Sequence, residues 1–403
     1  MKKKTQRTRR STGNTIQGKE EKEGGGGKGK KEKKQVSIQQ EPDSNATTAA
    51  LPVSNASSPV PPGKSGNARG SNNNTRTGTA APQLQGVAKC AANAREEVNK
   101  WAARALDKGV QGLREEFAEL KRYCPPDMSI VTFQAHWDAG RNRYKDVPCQ
   151  DKLRVILKWP GQQHDYIHAN YVATPISDKR FICTQGPLDC TITDFWHMVV
   201  QEETETVIML CNTKEKGMDK CAQYWPLEDK EVKTYGDVEV SNTCVRPLNA
   251  DEPSIRVSIL SVKWKEDGKE KSREVRHYQW IDWPDRGVPP CRLTAMALLS
   301  TVRGTKKPIV VHCSAGIGRT GSIVAIEFIL ERLQQGIPCE AMDEILKELR
   351  SQRPYSIQTD LQYLYVHRVM LFYFFDKYKV AVSADDLQIK YKKFVEDYDK
   401  ATA

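Results

Sequence analysis

The chain has 403 residues, enough for one large domain with a tail or for two modest domains. Its net charge is +11, and residues 1–86 carry +10 of it: eleven Lys and five Arg stand against five Glu and one Asp, with no aromatic residue. No apolar run reaches the roughly 18 residues that would suggest a membrane-spanning helix, and the start Met1-Lys2-Lys3-Lys4 has no apolar stretch behind it, so no secretory signal is expected.

Residues 1–86 are too polar and charged to bury enough apolar surface to offset ordering, and the expectation is a disordered basic tail. Its runs Lys2 to Arg10 and Lys28 to Lys34 fit an electrostatic tether to anionic lipid, RNA or an acidic partner, or a nuclear address; a solvated tail without a dedicated partner fits equally. No aromatic residues interleave with the basic ones, so no specific nucleic acid is expected. The eleven cysteines are an odd number, scattered, with no Cys-x-x-Cys pair. That pattern favours free thiols in a reducing compartment, hence a cytoplasmic location, and neither a disulfide framework nor a zinc site. No metal or other cofactor is expected.

Order is expected to begin near Ala88. Val98, Trp101, Ala102 and Ala105 recur at helical spacing with Gly109 placed to stop the helix. Leu113, Phe117 and Leu120 give a second helix, ended by Pro125-Pro126. Two polar stretches follow, Arg141-Asn142-Arg143-Tyr144-Lys145-Asp146-Val147 and Asp165 to Val172. Lys179 to Pro187 reads as a strand into a turn, Phe195-Trp196 as the lead of a helix through Val199, and Thr206 to Leu210 as a buried strand. Glu215 to Pro226 holds Lys220 and reads as an exposed hairpin. From Tyr235 to Trp280 alternation and the Asp267-Gly268 turn predict antiparallel hairpins. Trp283-Pro284-Asp285-Arg286-Gly287-Val288-Pro289 follows; alone, it would pass for a surface turn.

The stretch that organises the chain is His312-Cys313-Ser314-Ala315-Gly316-Ile317-Gly318-Arg319-Thr320-Gly321. Pro308 to Val311 reads as a short buried strand before it. Ser322 to Leu333 reads as a helix after it, with an apolar face of Ile323, Ile326, Ile329, Leu330 and Leu333. Three glycines let the backbone curl so that successive N–H groups converge at a helix N-terminus, a nest for a tetrahedral dianion. Arg319 can fork two phosphate oxygens while the Cys313 sulfur lies beneath phosphorus. A free thiol titrates near about 8.5, and the helix terminus, the arginine and the N–H groups should all lower that value, giving a thiolate able to attack phosphorus. Expulsion of a phenolate-like oxygen then needs a proton, and Asp285, 28 residues upstream between an anchoring Trp and a hinge Gly, is the candidate donor.

The His-Cys-x5-Arg-Thr stretch resembles the signature of the protein tyrosine phosphatases, of the non-receptor kind with a single catalytic domain. The resemblance covers roughly Leu113 to Tyr373, with six motifs in order. It implies an α/β (α+β) fold, a twisted mixed sheet flanked by helices, in agreement with the alternating pattern. It also implies hydrolysis of phosphotyrosine in proteins through a cysteinyl-phosphate intermediate. By that resemblance Cys313 is the nucleophile, Arg319 and the amides of Ser314, Ala315, Gly316, Ile317 and Gly318 hold the phosphate, and Thr320 assists the leaving thiolate. Tyr144 would stack on the substrate ring and set a pocket too deep for phosphoserine, although Arg141 stands where the family usually has Lys. Asp146 would hydrogen-bond the peptide backbone. Glu215 would pair with Arg319, Lys220 would steady the acid loop, and His312 would support the cysteine. In Arg353 to Tyr363, Gln358 and Gln362 would place the hydrolytic water. Arg286 sits where an aromatic residue is common, which bears on loop motion and not on the acid. A phosphotyrosine-trapping module without activity is opposed by the retention of Cys313, Arg319 and Asp285, and a dual-specificity enzyme by Tyr144. The expected organisation is a tail over 1–86, a catalytic domain over 87–380 and an amphipathic C-terminal helix over 381–403, capped by Ser383 and Asp386. The protein is expected to act as a monomer on phosphotyrosine proteins, with the tail free to add a nuclear or membrane-surface address.

Overall fold

The computed structural model describes residues 82–120, 123–377 and 385–403. The tail expectation for residues 1–81 and the Ser383 cap lie outside the described residues. Helix α1 (Pro82–Leu120) starts five residues inside the segment assigned to the tail from composition. Gly109, at φ 61 and ψ −176, breaks α1 into two helical stretches where the sequence predicts a stop. Beyond a short α2 (Val131–Ala135), strands β1 (Arg154–Ile156), β2 (Tyr166–Thr174) and β3 (Ser177–Thr184) lead into α3 (Ile192–Gln201). Strand β4 (Thr206–Met209) follows, then the small hairpin β5 (Lys214–Glu215) and β6 (Met218–Asp219). The hairpin region comprises β7 (Val232–Tyr235), β8 (Val238–Pro247), β9 (Ile255–Glu266) and β10 (Lys269–Trp280), the last two turning at Asp267-Gly268. Helix α4 (Thr294–Val302), which the sequence reading passes over, precedes β11 (Ile309–His312). Helices α5 (Gly318–Gln334), α6 (Met342–Gln352), α7 (Asp360–Phe372) and α8 (Asp385–Thr402) complete the chain.

Nine strands form one mixed sheet in the order β1-β2-β3-β11-β4-β10-β9-β8-β7. The central run β3-β11-β4-β10 is parallel and its flanks are antiparallel. Strand β11 therefore sits in the middle of the sheet, and all four of its residues are buried, as its unbroken apolar run Ile309-Val310-Val311 requires. Helix α5 packs on β3 and β11, α3 on β7 and β8, and α6 on β2, while α1 and α8 pack together and on α7. The C-terminal end of a central parallel strand is where an open sheet leaves a crevice, and the Cys313 loop begins there.

Candidate active site

The loop between β11 and α5 is built by turning its carbonyls outward. The carbonyl of His312 accepts from Leu210 N at 2.8 Å, that of Cys313 from His312 Nδ1 at 3.2 Å, and that of Ser314 from Gly186 N at 2.9 Å. Arg353 donates to Ala315 O at 3.2 Å and Gly316 O at 3.1 Å, and Ile357 N to Ile317 O at 2.9 Å. With every carbonyl engaged, the loop N–H groups remain to make a nest; those of Gly316, at 3.2 Å, and Thr320 bond to Cys313 Sγ. Gly316 has φ +70, and a Cβ there would lie 2.0 Å from Thr184 O, so only glycine closes this curl. Gly186 is required for a different reason: a Cβ would stand 2.8 Å from Cys313 O and from Lys220 O.

Cys313 is buried. Burial pushes its thiol up, but the Arg319 charge, the Thr320 hydroxyl and N–H and the Gly316 N–H outweigh it, and the thiol lies below its ordinary range. Among the described residues the Thr320 hydroxyl has no other partner. The contrast with other cysteines is chemical: burial pushes Cys124, Cys149, Cys183, Cys211, Cys291 and Cys339 up.

Arg319 is held before any anion arrives. It meets Glu215 in a bidentate pair at 2.7 and 3.0 Å and donates to Trp283 O at 2.8 Å. The same guanidinium lies 3.4 Å from Asp285 Oδ1, while Lys220 Nζ donates to Asp285 Oδ2 at 2.7 Å. Asp285 is thus drawn in over the loop. Burial would raise its carboxyl, yet the Lys220 hydrogen bond and the Arg319 and Lys220 charges keep it below the usual carboxylate range. The acid loop is anchored by Trp283, which is buried, stacks edge-on against Trp280 and Tyr365, and donates to Gly287 O at 3.1 Å. Arg286 is exposed, with φ 58, and its carbonyl accepts from Thr359 Oγ at 3.3 Å, tying the loop to the α7 N-cap.

Tyr144 stands at the mouth, its hydroxyl 2.9 Å from Ser314 Oγ. Its loop is fixed by Gln185, which accepts from Arg143 N at 2.9 Å and donates to Arg141 O at 2.8 Å. Arg141 ion-pairs with the buried Asp194 and Arg143 donates to Gly186 O and Pro187 O. Asp146 is exposed two residues beyond Tyr144. Gln362 Oε1 accepts from Gln358 N at 3.0 Å, and both glutamines pack against Gly318, where a Cβ would meet Gln362 Oε1 at 2.8 Å and Gln358 Cβ at 3.2 Å. Gln362 lies in the first turn of α7; Gln358 precedes its cap.

The residues singled out from sequence gather around the Cys313 loop, except Asp146, which is placed only by its neighbour Tyr144, and two expectations change. Glu215 and Lys220, read from sequence as exposed hairpin charges, have side chains only 11% and 8% exposed because Arg319 and Asp285 neutralise them. Sequence reasoning also missed Gln185, Tyr224, His277 and Arg353 as members of the site's support. All four fall inside stretches read above, yet nothing local marks them, since their partners lie 37 to 185 residues away. Among the described residues no group of His, Cys, Asp and Glu side chains could hold a metal ion.

A low-pKa thiol in an anion nest, an arginine fork beside it and a carboxylate above it is the arrangement of a cysteine-dependent phosphomonoester hydrolase. The family model described as protein-tyrosine phosphatase matches residues 138–372, and the chain belongs to that family. It is 38% identical over 245 residues to tyrosine-protein phosphatase Lar-like of Caenorhabditis elegans, covering 59% of this chain and 11% of that protein. It is 34% identical over 283 residues to human tyrosine-protein phosphatase non-receptor type 9, covering 65% of this chain and 46% of that protein. The chain thus spans less than half the length of either relative, and receptor and non-receptor types match alike. The crystal structure of the catalytic domain of human protein tyrosine phosphatase non-receptor type 18 superposes with a TM-score of 0.62 at 28% identity, over 69% of this chain and 99% of that one. The same phosphatase in complex with HER2 phosphopeptides matches with a TM-score of 0.62 at 29% identity, over 69% of this chain and 97% of that one. Among the described residues no helix is long and apolar enough to cross a membrane.

Proposed function

We propose that this protein hydrolyses phosphotyrosine in proteins through a cysteinyl-phosphate intermediate. The observation that carries the reading is that every carbonyl of the His312 to Ile317 loop accepts a hydrogen bond, around a sulfur whose thiol is pulled down by Arg319 and by the Thr320 and Gly316 N–H groups. In the first step the Cys313 thiolate attacks phosphorus, the bond to the tyrosyl oxygen breaks, and Asp285 protonates that oxygen. In the second, Asp285 as carboxylate takes a proton from water positioned by Gln358 and Gln362. The oxygen of that water bonds to phosphorus, and the thiolate leaves with help from the Thr320 hydroxyl. Arg319 and the amides of residues 314–319 hold the equatorial oxygens throughout. A bound dianion faces Asp285 across the Arg319 fork; it competes for that guanidinium and raises the carboxyl, so substrate itself converts Asp285 to the protonated acid. Tyr144 sets the depth that selects an aryl ester, and Asp146 takes the peptide backbone.

The catalytic unit covers 87–380, with the tail over 1–86 tuning location and α8 closing the domain. The protein works as a monomer in a reducing, cytoplasmic setting, consistent with the ten free cysteines among the described residues. The tail supplies contact with anionic surfaces or acidic partners. The complexes of the type 18 enzyme with HER2 phosphopeptides support phosphotyrosine peptides as ligands here. The test is phosphate release from matched phosphotyrosine and phosphoserine peptides with EDTA present. Release from the first alone, abolished in Cys313→Ser, is expected; equal release from both, or dependence on metal, sinks the reading.

A further inference from the structure

One buried carboxylate joins α1 to the helix that carries Gln362. In an unbroken helix Arg104 and Glu116 would stand roughly 18 Å apart along the axis. The break at Gly109 brings the two together: Arg104 donates to Glu116 Oε2 at 2.7 Å, and Lys108 Nζ lies 2.9 Å from the same oxygen. The other oxygen, Glu116 Oε1, accepts from the Tyr363 hydroxyl on α7 at 2.5 Å. Arg104 also donates to Asp343 Oδ1 on α6 at 3.1 Å. Glu116 and Tyr363 are both buried. Burial would raise the Glu116 carboxyl, but the hydrogen bonds from Tyr363, Lys108 and Arg104 outweigh it and hold it below the usual carboxylate range. Glu116 is therefore a carboxylate that gives one oxygen to the first stretch of α1 and the other to α7.

Tyr363 follows Gln362 directly in the first turn of α7. Neighbours in a helix project about 100° apart, so a bond that fixes one side chain fixes the heading of the other. Gln362 has little room for error. Its Oε1 accepts from Gln358 N at 3.0 Å and sits so close to the phosphate loop that a Cβ on Gly318 would meet it at 2.8 Å. The segment leading into the turn is strained: Tyr355 and Ile357 have φ 59 and φ 60, a region that residues other than glycine rarely adopt. Two other polar ties bind the turn to neighbouring elements, Arg114 to Asp360 at 2.8 Å and Thr359 Oγ to Arg286 O at 3.3 Å. Both are exposed, where water competes for the same groups. The buried tie is the one from Glu116, and the Phe117 ring beside it packs on Tyr363 at 5.4 Å.

We propose that Glu116, held by Arg104 and Lys108, is a positioning residue for the second chemical step: through the Tyr363 hydroxyl it fixes the first turn of α7, and with it the two glutamines that place the hydrolytic water. The proposal rests on the phosphatase reading of the site. It divides the cycle in two. Transfer of phosphorus to Cys313 uses Cys313, Arg319 and Asp285, whose hydrogen-bond partners are the phosphate loop, Glu215, Lys220 and Trp283 O, none of them on α7. Hydrolysis alone needs water between the glutamines. The water oxygen bonds to phosphorus, its proton passes to Asp285, and the bond from phosphorus to Cys313 Sγ breaks. Glu116 and Tyr363 are buried, and neither would touch substrate. Arg104, Lys108 and Glu116 all precede residues 138–372, so the helix ahead of the matched domain takes part in setting its second step.

Two measurements on the full chain test this. In the first, rapid mixing with an aryl phosphate separates the steps: the burst of phenol reads transfer to Cys313, and the steady rate reads hydrolysis. Tyr363→Phe removes one hydroxyl and keeps the ring. It should slow hydrolysis roughly tenfold, inside the roughly 10²-fold that a misplacement of about 1 Å can cost. The burst rate should stay within about twofold of wild type, and phosphorylated Cys313 should build up in rapidly denatured enzyme, read by mass spectrometry. Arg104→Met should act the same way by less, and Arg104→Lys, which keeps a charged donor, should restore hydrolysis. A merely structural loss would slow both steps together. Equal slowing of both, or unchanged hydrolysis in folded Tyr363→Phe, refutes the role. In the second, crystal structures of wild type and Tyr363→Phe are compared. Gln362 Oε1 should leave Gln358 N in the variant, and an unmoved Gln362 overturns the proposal. That comparison uses no turnover, so a wild type without phosphatase activity would defeat the functional reading and leave this one to be decided by the position of Gln362.

Discussion

Replacing Arg353 by Met should damage the site more than the fold. Arg353 is 0% exposed and donates to four neutral acceptors: Gly316 O at 3.1 Å, Ala315 O at 3.2 Å, Asn170 Oδ1 at 2.9 Å and His168 Nδ1 at 3.2 Å. Each buried acceptor left without a donor costs about 1–3 kcal/mol. Part of this is offset because a buried guanidinium no longer needs desolvating, and the two side-chain acceptors can turn. A net loss of about 2–4 kcal/mol is therefore expected, or a Tm lower by roughly 5–10 °C for a domain of this size. The carbonyls of Ala315 and Gly316 have no such freedom. To find another donor the peptides must rotate, which puts carbonyl oxygen where phosphate oxygen belongs. Loss of preorganised donors typically costs about 10²–10³ in rate, and kcat/KM should fall at least about a hundredfold. Arg353→Lys keeps the charge but cannot span the four acceptors, and should fall between. The assay is thermal unfolding together with kcat/KM on an aryl phosphate. A folded Arg353→Met enzyme within about fivefold of wild type, or full rescue by Lys, would refute the argument.

Asp285→Ala should lower turnover by about 10²–10⁴ while phosphopeptide affinity holds, because the acid acts only as the ester bond breaks; a parallel loss of affinity would make Asp285 a binding or turn residue instead. Lys220 stabilises the Asp285 carboxylate, so Lys220→Met should raise the acid's pKa and carry the alkaline limb of the pH–rate profile to higher pH; a limb moving to lower pH would contradict the sign. Cys313 should be alkylated first at pH 6.5, before the exposed Cys190 and the buried thiols that are pushed up. Its depressed thiol also links to stability: the contribution is complete above the unfolded value of about 8.5 and is lost as pH falls through the folded value, so the Tm of wild type relative to Cys313→Ser should rise with pH between those limits. Removing residues 1–81 should leave turnover of a small aryl phosphate within about twofold but abolish salt-dependent binding to anionic vesicles; a large loss of turnover would show that the tail packs on the domain.

The parts of this protein legible in its sequence are those whose requirements are local. Gly316 needs a positive φ within its own residue, β11 needs an unbroken apolar run to lie inside a sheet, and Gly109 stops a helix whatever surrounds it. The Cys313 to Arg319 spacing is likewise a property of one turn, so the nest and its chemistry could be named before any coordinate was known. The tertiary structure decided which distant groups complete that turn. Glu215 reaches Arg319, Lys220 reaches Asp285, and Tyr224 joins His277 to His312, because the strand order β3-β11-β4-β10 sets side by side segments as far apart in the chain as Phe181 and Ile309. Glu215 and Lys220 look like surface charges in sequence, and nothing local singles out Arg353. Burial gives each a single permitted set of partners, and burial is a consequence of sheet order that no short stretch of residues contains.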